Sequence, residues 1–344
     1  MNHKINYISQ DEINSITAFR KGETKFGEKI QIIDPNYTLE ENLKKTSAKF
    51  VVLGLTESVG VKANFGRTGT ETAFENTLKS LLNIQHNKLL KGNNVLIIGE
   101  LDVFEIQQKA MNLNPNIEED LYALRELVKE IDKEVAHIVF TIAKCKKIPI
   151  IIGGGHNNSY GIIKGMALAK GDAINTINFD AHTDFRPLEG RHSGNGFSYA
   201  YNEGFLEKYF IFGIHENYTS KKIYHNLKKH KDKIQYISYE DIKITCKTTF
   251  EKEMLRAVQF IRERTFGIEL DLDSVVSLPS SAMSLSGFSA EEMRRFVWLM
   301  GNESKAGYLH ICEGAPSLGD QKNPNLVGKL ITYLITDFIK AKLG

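Results

Sequence analysis

Three residues that could bind a metal ion stand at two-residue spacing directly after an apolar run. Asp180, His182 and Asp184 follow residues 173–179. In an extended strand alternate side chains share one face, so the spacing predicts that two carboxylates and an imidazole converge on one point. Neighbouring anions repel each other unless a cation lies between them, and these ligand types suit a divalent ion such as manganese or zinc. The alternative is a polar strand end that only caps the next loop.

Two further groups of potential ligands end other apolar runs. His156 follows Ile148–Ile152 and three glycines that permit a sharp turn, and Asp271 and Asp273 end the run 266–272. In open α/β sheets the ligand site lies beyond the carboxyl ends of the strands, so all six side chains are expected to meet there. Six ligands are too many for one ion, whereas two ions roughly 3.5–4 Å apart account for them. The oxygen-rich set favours manganese without excluding zinc, iron or cobalt.

The elements that must position these residues alternate between strands and helices, which predicts an α/β fold with a parallel sheet and helices on both faces. Strands are expected at 49–55, 94–99, 148–152, 173–179, 209–214, 266–272 and 308–312. Helices are expected at 71–84, 118–147, 221–231, 250–264 and 326–343. A further helix is expected to end at Lys170, and another to run from a capping box at 289–292 to Met300.

Length and composition favour one large domain with a small-molecule ligand. No linker interrupts the 344 residues, so we expect residues 1–47 to be a polar lead-in, helical and looped, of the same domain as 48–344. With 44 basic and 42 acidic residues, neither a nucleic acid nor an anionic membrane is an expected partner. Three widely spaced cysteines and a polar N-terminus without a signal-peptide pattern predict reduced thiols in a cytoplasmic protein. The triple glycine at 153–155 lacks the dinucleotide-binding fingerprint, and the glycine-containing loop 56–69 is expected to be an ordinary or substrate-side loop.

Together the three motifs resemble those of the arginase/agmatinase/formimidoylglutamase family, the ureohydrolases, over about residues 50–343. The matching segments are Gly-Gly-His-Asn around His156, Asp-Ala-His-Thr-Asp at 180–184 and Asp-Leu-Asp at 271–273. The resemblance implies a three-layer α/β/α fold with a central, mostly parallel sheet, and makes 48–344 a single arginase-like catalytic domain. It also implies two Mn²⁺ ions per subunit and assembly into a homo-oligomer.

The resemblance also assigns roles to the six potential ligands. One manganese would be held by His156, Asp180, Asp184 and Asp271, and the other by Asp180, His182, Asp271 and Asp273. Two cations would acidify a shared water, which could then attack a planar amidine or guanidine carbon. Asp184, as a catalytic residue, would carry the proton to the departing amine. The expected reaction is hydrolysis of a linear C–N amidine bond.

Within the family, the sequence is most similar to formimidoylglutamase. Arg186 follows Asp184 by two residues, as in the Asp-x-Arg of formimidoylglutamases, and a guanidinium suits a carboxylate. Arginases carry a glutamate that pairs with the guanidinium, but the corresponding segment 284–289 contains no acid. Ser193 stands where arginases have a proton-shuttling histidine, and the adjacent His192 is a candidate for that catalytic role. The expected substrate is N-formimidoyl-L-glutamate, an intermediate of histidine degradation, giving L-glutamate and formamide.

Other residues are weaker candidates for contact with the substrate. Beside Arg186, the candidates are Arg191, Ser193, Asn195, His215 and Asn217. Glu313 also matches a family glutamate near the active site, and a structural hydrogen-bonding role is expected for it. One alternative function is an arginase or another guanidino-compound hydrolase that releases urea. An alternative from another class is a catalytically inactive metal-binding or regulatory protein.

Overall fold

A computed structural model describes residues 3–320 and 325–344. These residues form ten strands and thirteen α-helices. The strands are β1 (Ile5–Tyr7), β2 (Gln31–Ile32), β3 (Phe50–Gly54), β4 (Val95–Leu101), β5 (Ile148–Ile152), β6 (Ile174–Phe179), β7 (Leu206–Ile214), β8 (Ile234–Ser238), β9 (Phe266–Asp271) and β10 (Ala306–Cys312). The helices are α1 (Gln10–Ile16), α2 (Leu39–Lys45), α3 (Val59–Lys62), α4 (Ala73–Leu81), α5 (Phe104–Met111), α6 (Glu118–Lys144), α7 (Asn158–Lys170), α8 (Gly196–Asn202), α9 (Lys221–Lys229), α10 (Tyr239–Lys243), α11 (Phe250–Ile261), α12 (Ala290–Asn302) and α13 (Leu326–Leu343).

The strands form one sheet in the order β1-β4-β3-β5-β10-β9-β6-β7-β8, with β2 also pairing with β4. Every pairing is parallel except that of β1 with β4. Strands β1 to β5 form one half of the sheet with β5 innermost, and β6, β7 and β8 extend outward in the other half. Strands β9 and β10 later fill the space between β5 and β6. This reversal at the centre of the sheet is where α/β proteins bind their ligands.

Helices cover both faces of the sheet, as the alternation of the strands requires. Val51 and Ile151 pack with α2 and α5–α8 in one apolar core. Phe50, Val52 and Ile150 point to the other face and pack with α4 and α11–α13. The predicted three-layer α/β/α fold with a mostly parallel sheet is confirmed.

The predicted element order lacks the helices α3, α5 and α8, and two further parts of it need correction. Strand β8 and helix α10 were missed between the predicted helices 221–231 and 250–264. β8 is an edge strand of mixed polarity, in which Ile234 and Ile237 are buried but Tyr236 is exposed, so it lacks the continuous apolar run of the inner strands. Residues 1–47 are also more than helix and loop, because they supply β1 and β2 to the same sheet.

No helix in the described part of the chain combines the length and apolar character needed to cross a membrane.

Candidate metal centre

The candidate site lies where four adjacent strands at the centre of the sheet end. β5 leads through Gly153–Gly155 to His156, and β6 leads to Asp180, His182 and Asp184. β9 ends at Asp271, with Asp273 two residues later, and β10 is followed by Glu313. Because these strands are parallel, their carboxyl ends meet at one edge, and the six predicted ligands come together there as the sequence pattern required.

The local conformation differs from the predicted strand geometry. β6 ends at Phe179, so the Asp180–Asp184 segment is a loop and its side chains do not share a strand face. Asp184 has φ of 43°, a left-handed conformation that only a minority of non-glycine residues adopt. Similarly, Asp273 lies in a single 3-10 turn after β9. The ligand groups therefore converge because loops fold back over the strand ends.

The first ligand group surrounds the imidazole of His156. Its Nδ1 lies 2.9 Å from Asp184 Oδ2, 3.4 Å from Asp180 Oδ2 and 3.5 Å from Asp271 Oδ2. Ligand atoms about 2.1 Å from one ion and at right angles around it lie roughly 3 Å apart, so these distances fit the edges of a coordination octahedron. Nδ1 is buried and makes no well-directed hydrogen bond to any described residue. His156 is completely buried at the end of β5.

The second ligand group consists of His182, Asp271 and Asp273. Asp271 belongs to both groups, and Asp180 Oδ1 lies 3.6 Å from His182 Nδ1. Backbone amides orient the carboxylates: Asp180 Oδ1 accepts from the amide of His182 at 2.6 Å, and Asp271 Oδ1 accepts from that of Asp273 at 2.7 Å. Asp273 Oδ1 in turn accepts from the Ala282 amide at 2.9 Å. The arrangement offers two adjoining sites for divalent ions.

The pKa values of the carboxylates and of His182 also indicate that a cation would stabilise this site. Burial raises the pKa of Asp271 well above its ordinary value, and the Asp273 and Asp180 carboxylates raise it further. Burial and the Asp180 charge likewise raise the pKa of Asp184. Burial lowers the pKa of His182, but Asp180, Asp273 and Asp271 outweigh that effect and raise it well above the ordinary value. Several buried acids that repel each other are stable when protonated or when paired with positive ions.

A cavity of about 580 Å³ opens onto the second group and Asp184. Glu313 lies in its wall with a positive φ of 61°. Glu313 Oε1 accepts from the backbone amide of His156 at 2.6 Å, while Oε2 is buried and makes no hydrogen bond to the residues that the structure describes. The missing acid at 284–289 therefore does not leave the cavity without a carboxylate. Glu313 makes the expected structural contact through Oε1, and its buried Oε2 has no hydrogen-bond partner among the described residues.

The polar mouth of the cavity contains two of the predicted substrate contacts. Arg186 donates to Asn64 Oδ1 and Glu189 Oε1, both at 2.8 Å, and 45% of its side chain is exposed. Ser193 lies beside it and accepts from Asn64 Nδ2 at 3.1 Å. Asn64 belongs to the segment 56–69, which thus lines part of the cavity. Lys222, at the start of α9, adds a second exposed cation to the lining.

Arg191 and Asn195, predicted to contact the substrate, lie away from the cavity. Arg191 is 1% exposed and donates to both oxygens of Asp132, at 2.8 and 3.2 Å, and to the carbonyl of Asn157 at 2.7 Å. Its remaining nitrogen donates to Asn195 Oδ1 at 2.6 Å. Neither residue lines the cavity, because both are used in a buried network that connects α6 to the 191–195 turn.

The structure also places three other predicted residues away from the cavity wall. His192 is fully buried, its Nδ1 accepts from the Gly194 amide, and burial together with nearby arginines lowers its pKa to about 3, so it is poorly suited to carry a proton. His215 is buried between two tyrosine rings, those of Tyr218 and Tyr239. Asn217 is exposed outside the described lining of the cavity.

Sequence reasoning missed residues whose function depends on contacts between distant segments. Glu269, His310 and Tyr308 form a buried polar cluster behind His156. An acid in the middle of the apolar strand β9 was the available signal for this cluster. Lys222 had no comparable signal, since α9 carries several lysines.

Comparisons with known proteins identify the family of this chain and proteins with a similar fold. A sequence profile of the Arginase family matches residues 48–336. Formimidoylglutamase from Macrococcus caseolyticus is 23% identical over 308 residues, which cover 89% of each chain. The crystal structure of formimidoylglutamase from Bacillus subtilis has a TM-score of 0.73 at 18% identity and covers 94% of both chains. Trypanosoma cruzi formiminoglutamase, solved with Mn²⁺, has a TM-score of 0.69 at 18% identity and covers 92% of this chain and 99% of that one.

An α/β/α sheet with acidic and histidine ligand groups at its strand ends, together with a family profile that spans most of the sequence, defines the class. The chain belongs to the Arginase family. It is a hydrolase that acts on C–N bonds, and the resemblance inferred from the motifs is confirmed.

Proposed function

We propose that the protein is a manganese-dependent formimidoylglutamase that converts N-formimidoyl-L-glutamate and water to L-glutamate and formamide. The observation that carries the proposal is the pair of ligand groups that share Asp271 and open onto a cavity whose mouth contains Arg186. The naming of relatives as formimidoylglutamases, one of them solved with manganese, supports the choice of substrate and ion.

In this proposal the residues around His156 and those around His182 would each hold one Mn²⁺, and Asp271 and Asp180 lie within reach of both groups. The donor set fits, because it consists of carboxylate oxygens and imidazole nitrogens at distances suited to a common ion. When bound, the two manganese ions would supply a water acidic enough to act as a nucleophile at neutral pH.

The side chains of this chain would orient the substrate. The free Oε2 of Glu313 accepts a hydrogen bond from the cationic amidine and holds its planar carbon above the ligand groups. Asp184, whose side chain is 11% exposed at the cavity, takes a proton from the attacking water and delivers it to the departing nitrogen. The products are formamide and glutamate, whose amine is the departing nitrogen.

The two carboxylates of the substrate would meet the cationic mouth of the cavity. Arg186 is oriented by Asn64 and Glu189, and its exposed fraction leaves donors for one carboxylate. Lys222 is positioned to approach the other carboxylate as a mobile point charge. A monocationic tail such as that of agmatine would instead meet two positive charges.

Glu313 also favours a second candidate function, hydrolysis of a guanidine with release of urea, because a guanidinium offers the same N–H donors as an amidinium. The two functions differ in what occupies the mouth of the cavity. The catalytically inactive alternative is distinguished from both by the absence of turnover on any amidine or guanidine.

The deciding experiment is a steady-state assay of the manganese-loaded protein on N-formimidoyl-L-glutamate, arginine, agmatine and guanidinobutyrate, with detection of glutamate and urea. The proposal expects glutamate from the first substrate and no urea from the others. An Arg186→Gln variant that keeps its manganese should show a raised KM, and Lys221→Gln, next to Lys222 but outside the described lining, is the matched control. Urea from a guanidine substrate would contradict the assignment.

We further propose that residues 1–344 form one domain and that the protein acts as a homo-oligomer. Support for the single domain comes from β1 and β2, which pair with β4 of the catalytic sheet. Light scattering coupled to size-exclusion chromatography tests the oligomer.

A further inference from the structure

A fully buried acid lies beneath the candidate metal centre and is used neither as a ligand nor in contact with the cavity. Glu269 occupies the interior of β9, two residues before Asp271. In the sheet it is in register with His310 of β10 on one side and with Asn178 of β6 on the other. Asn178, Glu269 and His310 therefore lie side by side on three adjacent strands, on the side of the ligands away from the strand ends.

Glu269 is hydrogen-bonded to His310 and Tyr308, and its Oε2 also approaches His156. Oε2 lies 2.5 Å from His310 Nδ1 and 3.4 Å from His156 Nε2, and Oε1 accepts from the hydroxyl of Tyr308 at 2.6 Å. His156, His310 and Glu269 are each fully buried. The ring of His156 therefore lies between two sets of acids: its Nδ1 faces the ligand carboxylates and its Nε2 faces Glu269.

We propose that Glu269 is a positioning residue that orients His156 and fixes its tautomer, an inference that rests on the proposed metal-dependent function. Nε2 lies 3.4 Å from Glu269 Oε2 but makes no well-directed hydrogen bond to any described residue. A proton on Nε2, attracted by this carboxylate, would leave the lone pair of Nδ1 for an ion. Histidine ligands commonly donate their second N–H to a carboxylate in this way, and loss of that partner weakens metal binding. His310 holds Oε2, the oxygen that approaches His156, whereas Tyr308 binds only the other oxygen, Oε1.

A purely structural role explains the position less well. A carboxylate inside a sheet covered on both faces is costly unless it is hydrogen-bonded or paired, and an apolar residue of similar size would fill the space more favourably. The neighbours Ile268 and Leu270 on the same strand are apolar and fully buried. These two side chains point to the opposite face of the sheet, whereas Glu269 points to the face that holds His156.

The first test is Mn²⁺ binding, followed by electron paramagnetic resonance of the free ion, in the wild type and in Glu269→Gln. The expected result is two ions per chain in the wild type and, in the variant, about 10- to 100-fold weaker binding of one ion. Binding of the second ion should change little. In a His156→Asn background, Glu269→Gln should have no further effect on affinity.

Tyr308→Phe is the matched control, because it removes the other hydrogen bond of Glu269 at the same depth and leaves Oε2 in place. It is expected to bind both ions with affinities close to those of the wild type. Equal weakening in Tyr308→Phe and Glu269→Gln, or unchanged affinity in Glu269→Gln, overturns the inference while the two wild-type ions leave the proposed function intact. A wild type that binds no Mn²⁺ overturns both.

A second measurement needs no substitution at Glu269. Nitrogen NMR of histidine-labelled wild type loaded with Zn²⁺, a diamagnetic stand-in, reports the tautomer of each ring, and His156→Asn assigns the resonance. The proton of His156 is expected on Nε2 and protected from exchange. A proton on Nδ1 overturns the inference even if Glu269→Gln fails to fold.

Discussion

Replacing Glu313 with Gln tests the environment of the buried carboxylate in the cavity wall. Burial and the nearby Asp273 raise the pKa of Glu313 from 4.5 to about 8. Because the folded pKa lies above the unfolded one, the folded state retains the proton over this range. Its contribution to stability is complete below about pH 4.5 and is lost as the pH rises towards 8. The metal-free protein should therefore become less stable from pH 5 to pH 8.

The loss of stability can be estimated from the pH interval between the unfolded and folded pKa values of Glu313. At about 1.4 kcal/mol for each pH unit, Glu313 accounts for roughly 3–4 kcal/mol of the free energy of unfolding lost between pH 5 and pH 8. Glutamine does not titrate, so Glu313→Gln should lose that much less over the same interval. Asp271 and Asp184, whose pKa values are also raised, leave a residual slope in both proteins.

Urea unfolding of chelator-treated wild type and variant, followed by circular dichroism at pH 5 and pH 8, measures this difference. On the manganese-loaded proteins the same substitution should lower kcat/KM by about 10- to 150-fold, the value of one hydrogen bond to a charged group, without changing Mn²⁺ affinity. The reasoning is refuted if the two proteins lose stability with pH to within about 1 kcal/mol of each other.

Three further outcomes follow from contacts at and around the site. Arg186→Gln should raise KM for a dicarboxylate amidine by about 10- to 100-fold yet leave that for a small amidine without carboxylates unchanged, and parallel changes for both in steady-state kinetics would contradict its role. Asp132→Asn removes the carboxylate partner of buried Arg191 and should lower the free energy of unfolding in urea by about 3–5 kcal/mol, with an unchanged KM; a neutral effect would mean that the pair is not what holds Arg191 in place. Chelation at pH 7 should lower the melting temperature measured by calorimetry in the wild type and much less in Asp271→Asn, because the buried acids of the wild type lose their counter-ions.

The ligand groups could be predicted from sequence because they depend on local spacing and on one rule of sheet topology. Ile148–Ile152 and the runs before Asp180 and Asp271 are apolar enough to be recognised as inner strands. Parallel strands then deliver whatever follows them to one edge. That was sufficient to bring His156, Asp180 and Asp271 together without knowledge of the loop conformations.

The sequence did not predict the contacts of side chains whose partners lie far away along the chain. Arg191 is paired with Asp132, 59 residues earlier on α6, and no local pattern in the turn announces that contact. The loop conformations could not be predicted from the sequence either, because the positive φ of Asp184 occurs in no regular helix or strand. Glu313 follows a strand like the ligands do, but only the folded structure shows that one of its oxygens is occupied by the His156 amide and the other is free.

Dependence of turnover on Asp271, the residue shared by both ligand groups, tests the central claim most directly. Release of glutamate from N-formimidoyl-L-glutamate should be measured for wild type and Asp271→Asn, each with its bound manganese counted. The account predicts two ions and turnover in the wild type, and fewer ions with no turnover in the variant. Equal turnover in the variant, or a wild type that binds two ions and releases no glutamate, would contradict it.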